Sequence, residues 1–383
     1  MCRSDNGGVA LRVLICPDKF KGSLTAVEVC KALARGWLRA RPRDVLDLLP
    51  VSDGGDGFGD VCRRLVGART RSLQTVDAAG CPLRARWWWC RTRRLAILES
   101  AAVIGLALLP KGRFHPFELD TAGLGRALQK VAAQGARRIL VGLGGSATND
   151  AGFGLARVLG WRFLDSAGRE LTRWTDLDRL ACVERPVKGF PWRALQVAAD
   201  VTNPLSGPRG ATRVYGPQKG LRPADLARAE QCLRRLARVM EDLTGRPLSR
   251  VPGAGAAGGL GFGFLAFAGA ELVPGFDWVA ERARLEQRLR RADLVLTGEG
   301  SMDRSTVMGK GVGEIARRCR RKQKPCLAFV GSFQPWGGHA RWFRRVYALL
   351  DVVPEKVAFA RPAGVLEQLA EQAAREWTTE SAG

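Results

Sequence analysis

Carboxylates recur where short apolar runs stop. Asp18 follows VLIC and a proline, Asp53 and Asp56 follow LLPVS, Asp150 follows LVGLGGSATN, Asp200 follows LQVAA, and Glu299 follows DLVLTG. If those runs are parallel strands, the acids gather at the carboxyl edge of a sheet, where open α/β folds bind their ligands. Any one of them could instead cap the helix that follows it. Five such places together are hard to explain by capping alone. Asp53-Gly-Gly-Asp56-Gly and Gly298-Glu299-Gly300 also set the acids among glycines, which let backbone come close to something.

The glycine loops narrow the chemistry. No G-x-x-x-x-G-K-[ST] occurs, because Gly309-Lys310 is followed by Gly311. Gly253-Ala-Gly255-Ala-Ala-Gly258 fits the dinucleotide spacing, but RPLSRVP before it makes a poor strand and Asp277 lies in a PGFD turn. GLGGS from Gly142 follows a good strand and opens a helix, so its amides could cradle an anion with no lysine nearby, unless Asn149 or Asp150 merely caps that helix. Lys19 and Lys21 flank Phe20 beyond the first apolar run; on an extended segment they would point the same way, as point charges for phosphate or carboxylate. From Asp200 to Gly220, three prolines and four glycines hold an irregular surface carrying Asp200, Asn203, Arg209, Gln218 and Lys219.

Elements must position these groups, and their pattern is legible. LRVLIC from Leu11 and VLDLLPV from Val45 read as strands, each followed by a helical period; Ser23 or Thr25 can cap the first helix, and Thr25 with Glu28 makes a capping box. Residues 70–76, 81–90 and 94–99 read as an antiparallel meander. Helix 121–134, strand 138–142, a helix from 151, strand 194–199, helix 223–243 and the glycine-rich 253–270 follow. The chain returns to βαβ with strand 293–297, helix 311–322, strand 326–330, a helix near 339–345, strand 346–353 and a helix from about 363. The fold class is α/β in two domains: an open, Rossmann-like, mainly parallel sheet built from both chain ends (9–66 plus 287–377), and an inserted mixed α/β domain (67–286). The cleft between them is the expected site.

Composition excludes other classes. The 383 residues, 46% of them hydrophobic, can build two cores. MCRSDNGGVALRVLICPD lacks the unbroken apolar stretch of a signal peptide, and 96–110 and 260–274 are too short to span a bilayer, so a soluble, cytoplasmic protein is expected. Ten cysteines contain no C-x-x-C pair and have only His115 and His339 beside them, so zinc and iron–sulfur sites are not expected and the thiols should be reduced and mostly buried. The net charge of +24 is scattered in pairs, apart from RRCRRKQK at 317–324, which suits the solvated last turn of a helix. WWWC from Trp87 reads as a hairpin strand, so nucleic acid is not an expected partner.

Seven blocks, in order, resemble those of the bacterial ATP-dependent glycerate kinases: CPDKFKGSL from Cys16, PVSDGGDG from Pro50, GLGGSATND from Gly142, DVTNPLSG from Asp200, VYGPQKG from Val214, PGAGAAGGLG from Pro252 and TGEGSMD from Thr297. The resemblance runs from about residue 11 to 375. It implies a two-domain α/β enzyme transferring phosphoryl from Mg-ATP to D-glycerate, with 2-phosphoglycerate the favoured product and ATP and Mg²⁺ the cofactors, acting as monomer or homodimer. With it come roles: Asp200 as general base, Lys19 and Lys21 on the glycerate carboxylate or the transferred phosphoryl, and Asp53, Glu299 and Asp303 on the metal. Substrate and phosphates fall to Asp18, Ser23, Gly144, Gly145, Ser146, Thr148, Asn149, Asn203, Gln218, Lys219, Gly255, Gly258 and Lys310. A lysine for the Gly142 loop would come across the cleft from Lys19 or Lys21, or from Lys310. Arg126 stands where the family has an acid and Ser305 where it has glutamine, which leaves open a kinase of a related hydroxy acid. A basic nucleic-acid-binding protein and a nicotinamide oxidoreductase are the rivals from other classes.

Overall fold

The computed structural model describes residues 9–304, 306 and 311–380. Among them the strands are, in chain order, β1 (Arg12–Ile15), β2 (Val45–Leu48), β3 (Arg69–Val76), β4 (Pro82–Cys90), β5 (Leu95–Glu99), β6 (Arg138–Gly142), β7 (Arg162–Asp165), β8 (Leu180–Glu184), β9 (Ala194–Ala198), β10 (Glu271–Val273), β11 (Leu294–Met302), β12 (Cys326–Phe333) and β13 (Arg345–Ala348). The chain forms two compact units, 1–53 with 276–383, and 54–275. It is an α/β protein, with a parallel sheet in the first unit and a mixed sheet in the second.

In the first unit the sheet order is β13-β12-β11-β1-β2, parallel throughout. From β1 the chain moves outward to β2, then returns to the other side of β1 through β11. That reversal makes the gap between β1 and β11 a topological switch point, beyond whose carboxyl ends ligands bind in such sheets. The helix Ala26–Ala40 covers one face because its apolar residues recur at helical spacing: Val29, Cys30, Leu33 and Trp37 are all buried. Its start is a capping box, with Glu28 N–H donating to Thr25 Oγ1 and Thr25 N–H donating to Glu28 Oε2. Thr25 is therefore the cap, and Ser23 closes the preceding turn through Phe20 O.

The second unit holds a six-stranded sheet, β10-β9-β6-β5-β4-β3. β10, β9, β6 and β5 are parallel neighbours, while β5, β4 and β3 form the antiparallel meander. Trp87 and Trp88 are fully buried in β4, so the tryptophan run is core. β7 and β8 form a separate hairpin, and it goes unread from sequence because RFLD and LACVE are too short to show a period. Two expectations near the C-terminus are corrected: the helix near 339–345 is one 3₁₀ turn, His339–Arg341, and the strand ends at Ala348 before another, Leu349–Asp351. In the basic run Arg317 and Arg318 pair with Glu314 one turn back on the same helix, and Arg318 also with Asp277, while Arg320 and Arg321 are exposed. No disulfide joins the nine described cysteines, and among the described residues no helix is long and apolar enough to cross a membrane.

Candidate active site

Three carboxylates lie at the carboxyl ends of neighbouring strands of the first unit, within electrostatic reach of one another at Asp18. Asp18 leaves β1, Asp53 follows β2 and Glu299 lies in β11. Burial pushes Asp18 up to about 7; Asp53 and Glu299 push the same way, while Lys19 and the Lys19 N–H opposing them pull it down. That N–H donates to Asp18 Oδ1 at 2.6 Å. Glu299 is held by Thr306, whose hydroxyl donates to Oε1 at 2.7 Å, and Thr306 Oγ1 in turn accepts the Asp303 N–H. Thr306 escaped the sequence reading, although D-R-S-T has the spacing of a side-chain turn.

Two sequence expectations change here. Lys19 and Lys21 do not sit on an extended segment: Phe20 and Leu24 bridge one another, Gly22 at φ +80° closes the turn between them, and Lys21 is exposed on it. A shared direction therefore cannot be inferred from alternation. Gly298-Glu299-Gly300 is not a loop but part of β11, paired with β12 as far as Met302. Its glycines answer to the neighbouring strand: a Cβ on Gly298 would fall 1.9 Å from Phe329 O. Ser305 and Lys310 lie outside the described residues.

In the second unit the loop after β6 is built from buried polar groups. Asp150 is fully buried and accepts from Thr121 N–H and Oγ1 and from the Gly152 and Gly154 N–H groups, so it caps the helix Phe153–Val158 and ties it to Thr121. Burial, with Asp120 adding, raises it to about 6 against those bonds. A lysine of this same unit is bonded to the loop: Lys219 Nζ donates to Thr148 O at 2.6 Å and Ser146 Oγ at 3.1 Å. The expected surface lysine is thus 8% exposed, because proline and glycine turns fold its 3₁₀ turn, Pro217–Lys219, inward. Burial lowers it to about 7, with Asp150 opposing. Thr148 Oγ1 and Asn149 Oδ1 are buried without a partner among the described residues, while Asn149 Nδ2 donates to Thr212 Oγ1.

The remaining predicted residues divide. Gly144 N–H donates to Ser100 Oγ, so that amide is not one offered to an anion. Asn203 braces its own loop, donating to Arg209 O and accepting from Tyr215, and Gln218 is exposed. Asp200 Oδ1 accepts the Gly275 N–H at 3.0 Å. Gly255 and Gly258 serve close packing: a Cβ would lie 2.2 Å from Pro204 O and 2.0 Å from Thr148 O respectively. The dinucleotide spacing fails because a 3₁₀ turn, Leu248–Arg250, precedes it where a strand is needed. Arg126 is exposed on the helix Ala122–Ala133.

Comparison with known proteins gives the family. The model of the glycerate kinase family matches residues 13–378. A glycerate kinase of Halalkalibacterium halodurans is 35% identical over 95% of this chain and 96% of its own length. The glycerate 2-kinase of Escherichia coli is 33% identical over 84% of this chain and 85% of its own. A crystal structure of a protein proposed to be glycerate kinase 2 of Salmonella typhimurium LT2 superposes with a TM-score of 0.81, at 31% identity, over 98% of this chain and all of that one. The chain belongs to the glycerate kinase family.

Proposed function

We propose that this protein is a cytoplasmic, Mg²⁺-dependent kinase that transfers the γ-phosphoryl group of ATP to D-glycerate, forming 2-phosphoglycerate and ADP. The observation that carries the reading is the group of Asp18, Asp53 and Glu299 at the switch point of a parallel sheet, in a chain of this family. The choice of product leans on the Escherichia coli relative, named a glycerate 2-kinase.

Among the described residues no three His, Cys, Asp or Glu side chains form a ready-made metal cage. Magnesium fits the residues nonetheless. It prefers hard oxygen donors and keeps waters, and it needs only one or two carboxylates beside the substrate's phosphates. Asp53 and Glu299 would hold it, with Asp303 behind the Thr306 link; when bound, it neutralises charge on the phosphate oxygens. Lys19 and Lys21 supply positive charge for the transferred phosphoryl or the glycerate carboxylate. Asp200, oriented by the Gly275 N–H, accepts the proton of the substrate hydroxyl as its oxygen bonds to phosphorus and the bond to the ADP oxygen breaks. Asn149 and Thr148 offer buried polar atoms on the loop after β6.

A coupled assay of ADP release with D-glycerate, L-glycerate and related hydroxy acids tests the proposal. D-Glycerate should be preferred, and NMR of the product should place phosphorus on the 2-oxygen. No acid-dependent ADP release would refute the function, and preference for another hydroxy acid would turn attention to the Arg126 and Ser305 departures.

A further inference from the structure

Glu99 and Ser100 stand at the end of β5, outside every residue given a role above, and between them they grip two glycine loops. Glu99 is 5% exposed, and its Oε1 accepts the Gly59 N–H at 2.6 Å. That amide opens the helix Phe58–Val66, whose N-cap, Gly57 at φ +83°, has no side chain to offer. Glu99 thereby holds the exit of the loop 54–57. Ser100 is fully buried; its hydroxyl donates to Gly144 O at 3.0 Å and accepts the Gly144 N–H at 3.1 Å, while its own N–H donates to Gly142 O. Both backbone polar groups of one residue, Gly144, in the loop after β6 thus close on a single side chain. Farther along, Leu106 N–H donates to Gly145 O and Ala147 N–H to Ile104 O, so the segment continues to line that loop.

The two loops are also in direct contact. A Cβ on Gly142 would lie 2.8 Å from Gly54 O, one on Gly144 2.8 Å from Gly55 Cα, and one on Gly145 2.6 Å from Asp56 Oδ1. Neither loop can shift by a methyl group's width without meeting the other, and interiors packed this way transmit displacement. Two loops that touch and that are bonded to adjacent residues of one strand end form one mechanical unit.

We propose that Glu99 and Ser100 are positioning residues for the phosphoryl transfer, setting the loop that carries Asp56 and the loop that carries Ser146, Thr148 and Asn149 at a fixed mutual distance. This rests on the kinase reading above. The charged groups facing Glu99 are Arg86 from β4, Asp60 from the helix Phe58–Val66 and Asp56 from the loop; burial and the two aspartates raise it to about 7, against Arg86 and the Gly59 bond. Ionisation of Glu99 therefore repels Asp56 in the loop whose exit Glu99 holds.

The test uses Ser100→Ala, Glu99→Ala and the isosteric Glu99→Gln in the full-length protein, with kcat and each KM measured from pH 5.5 to 8.5. Each alanine variant should lower kcat roughly tenfold or more while KM for glycerate changes much less, since displaced groups act on the transition state. The double alanine variant should lose less than the product of the two, because one unit is broken twice. Glu99→Gln, which keeps an oxygen facing Gly59, should lose less than Glu99→Ala and should flatten the limb of the kcat profile near pH 7. Hydrogen exchange gives a readout independent of turnover: Glu99→Ala should speed exchange across 142–147, a loop its side chain does not bond. Folded variants with kcat within twofold of the unsubstituted protein and unchanged exchange in the distant loop would overturn the proposal. Absence of glycerate-dependent ADP release in the unsubstituted protein would instead overturn the function, so the two failures are distinct.

Discussion

Gly258 offers a sharp test of how the buried lysine is held. It sits at φ +75°, between Ala257 at +54° and Gly259 at +84°, in a left-handed interruption at the start of the helix Ala256–Phe267. An alanine Cβ there would fall 2.0 Å from Thr148 O, 2.8 Å from Lys219 Nζ and 2.9 Å from Asn149 Cα. The first two atoms are the partners of a 2.6 Å bond between a buried ammonium and a carbonyl. A non-glycine residue in this conformation costs about 1–2 kcal/mol. Forcing a methyl group into a packed site adds about 1–3 kcal/mol, and weakening a charged hydrogen bond adds about 1 kcal/mol more. Gly258→Ala should therefore destabilise the second unit by about 3–6 kcal/mol. Gly135→Ala is the control: φ is +96° with nothing within 4 Å of the added carbon, so only the backbone cost of about 1–2 kcal/mol remains. Urea unfolding at 25 °C, with equal slopes for both variants, measures the difference. Equal losses within about 0.5 kcal/mol would show that the Thr148–Lys219 contact yields freely, and the reasoning would fail.

Three further outcomes follow from the same geometry. Asp200→Asn should lower turnover by about 10²-fold or more while ATP binding, followed by calorimetry, survives; unchanged turnover removes Asp200 from the base role. Gly145→Val combines φ +61° with a Cβ 2.6 Å from Asp56 Oδ1, and should raise KM for ATP more than KM for glycerate; the opposite order would place this loop against the acid. Glu99 is raised from an unfolded value of 4.5 to about 7 in the fold, so between those values the folded state binds the extra proton. Its contribution to stability is full below pH 4.5 and is lost as pH rises towards 7, by about 3 kcal/mol at most. Glu99→Gln should remove that part of the pH dependence, read as the difference between the two stability curves from pH 4.5 to 7.5.

Much of the architecture was legible because it rests on local pattern. Apolar runs ending in acids mark parallel strands, the Thr25–Glu28 capping box marks the start of the first helix, and short β-rich runs separated by turn residues from about Arg69 mark the meander. The hairpin of β7 and β8 and the short turns after 339 carried no comparable period. Residues at the site were harder to read where their meaning lies in a partner distant along the chain. Lys219 looks like a surface residue, since lysine between proline and glycine is usually exposed; its burial is decided by Ser146 and Thr148, 73 and 71 residues away. Glu99 is an acid at a strand end like the others, but only Gly59, 40 residues back, reveals what it holds.

The sequence by itself determined the family, the two-part α/β plan and the set of acids, because these depend on residue type, order and spacing along one chain. Tertiary structure decided which acids meet. Asp53 and Glu299 act on Asp18 because β2 and β11 flank β1, whereas Asp150, of the same type and in the same kind of position, turns inward to cap a helix. It decided as well that the glycines of Thr297-Gly-Glu-Gly give way to a neighbouring strand, and that Lys219 folds in against the loop after β6. The physical reason is the same throughout: electrostatics and close packing act through distances of a few ångströms in space, and those distances exist only once remote segments have been folded together.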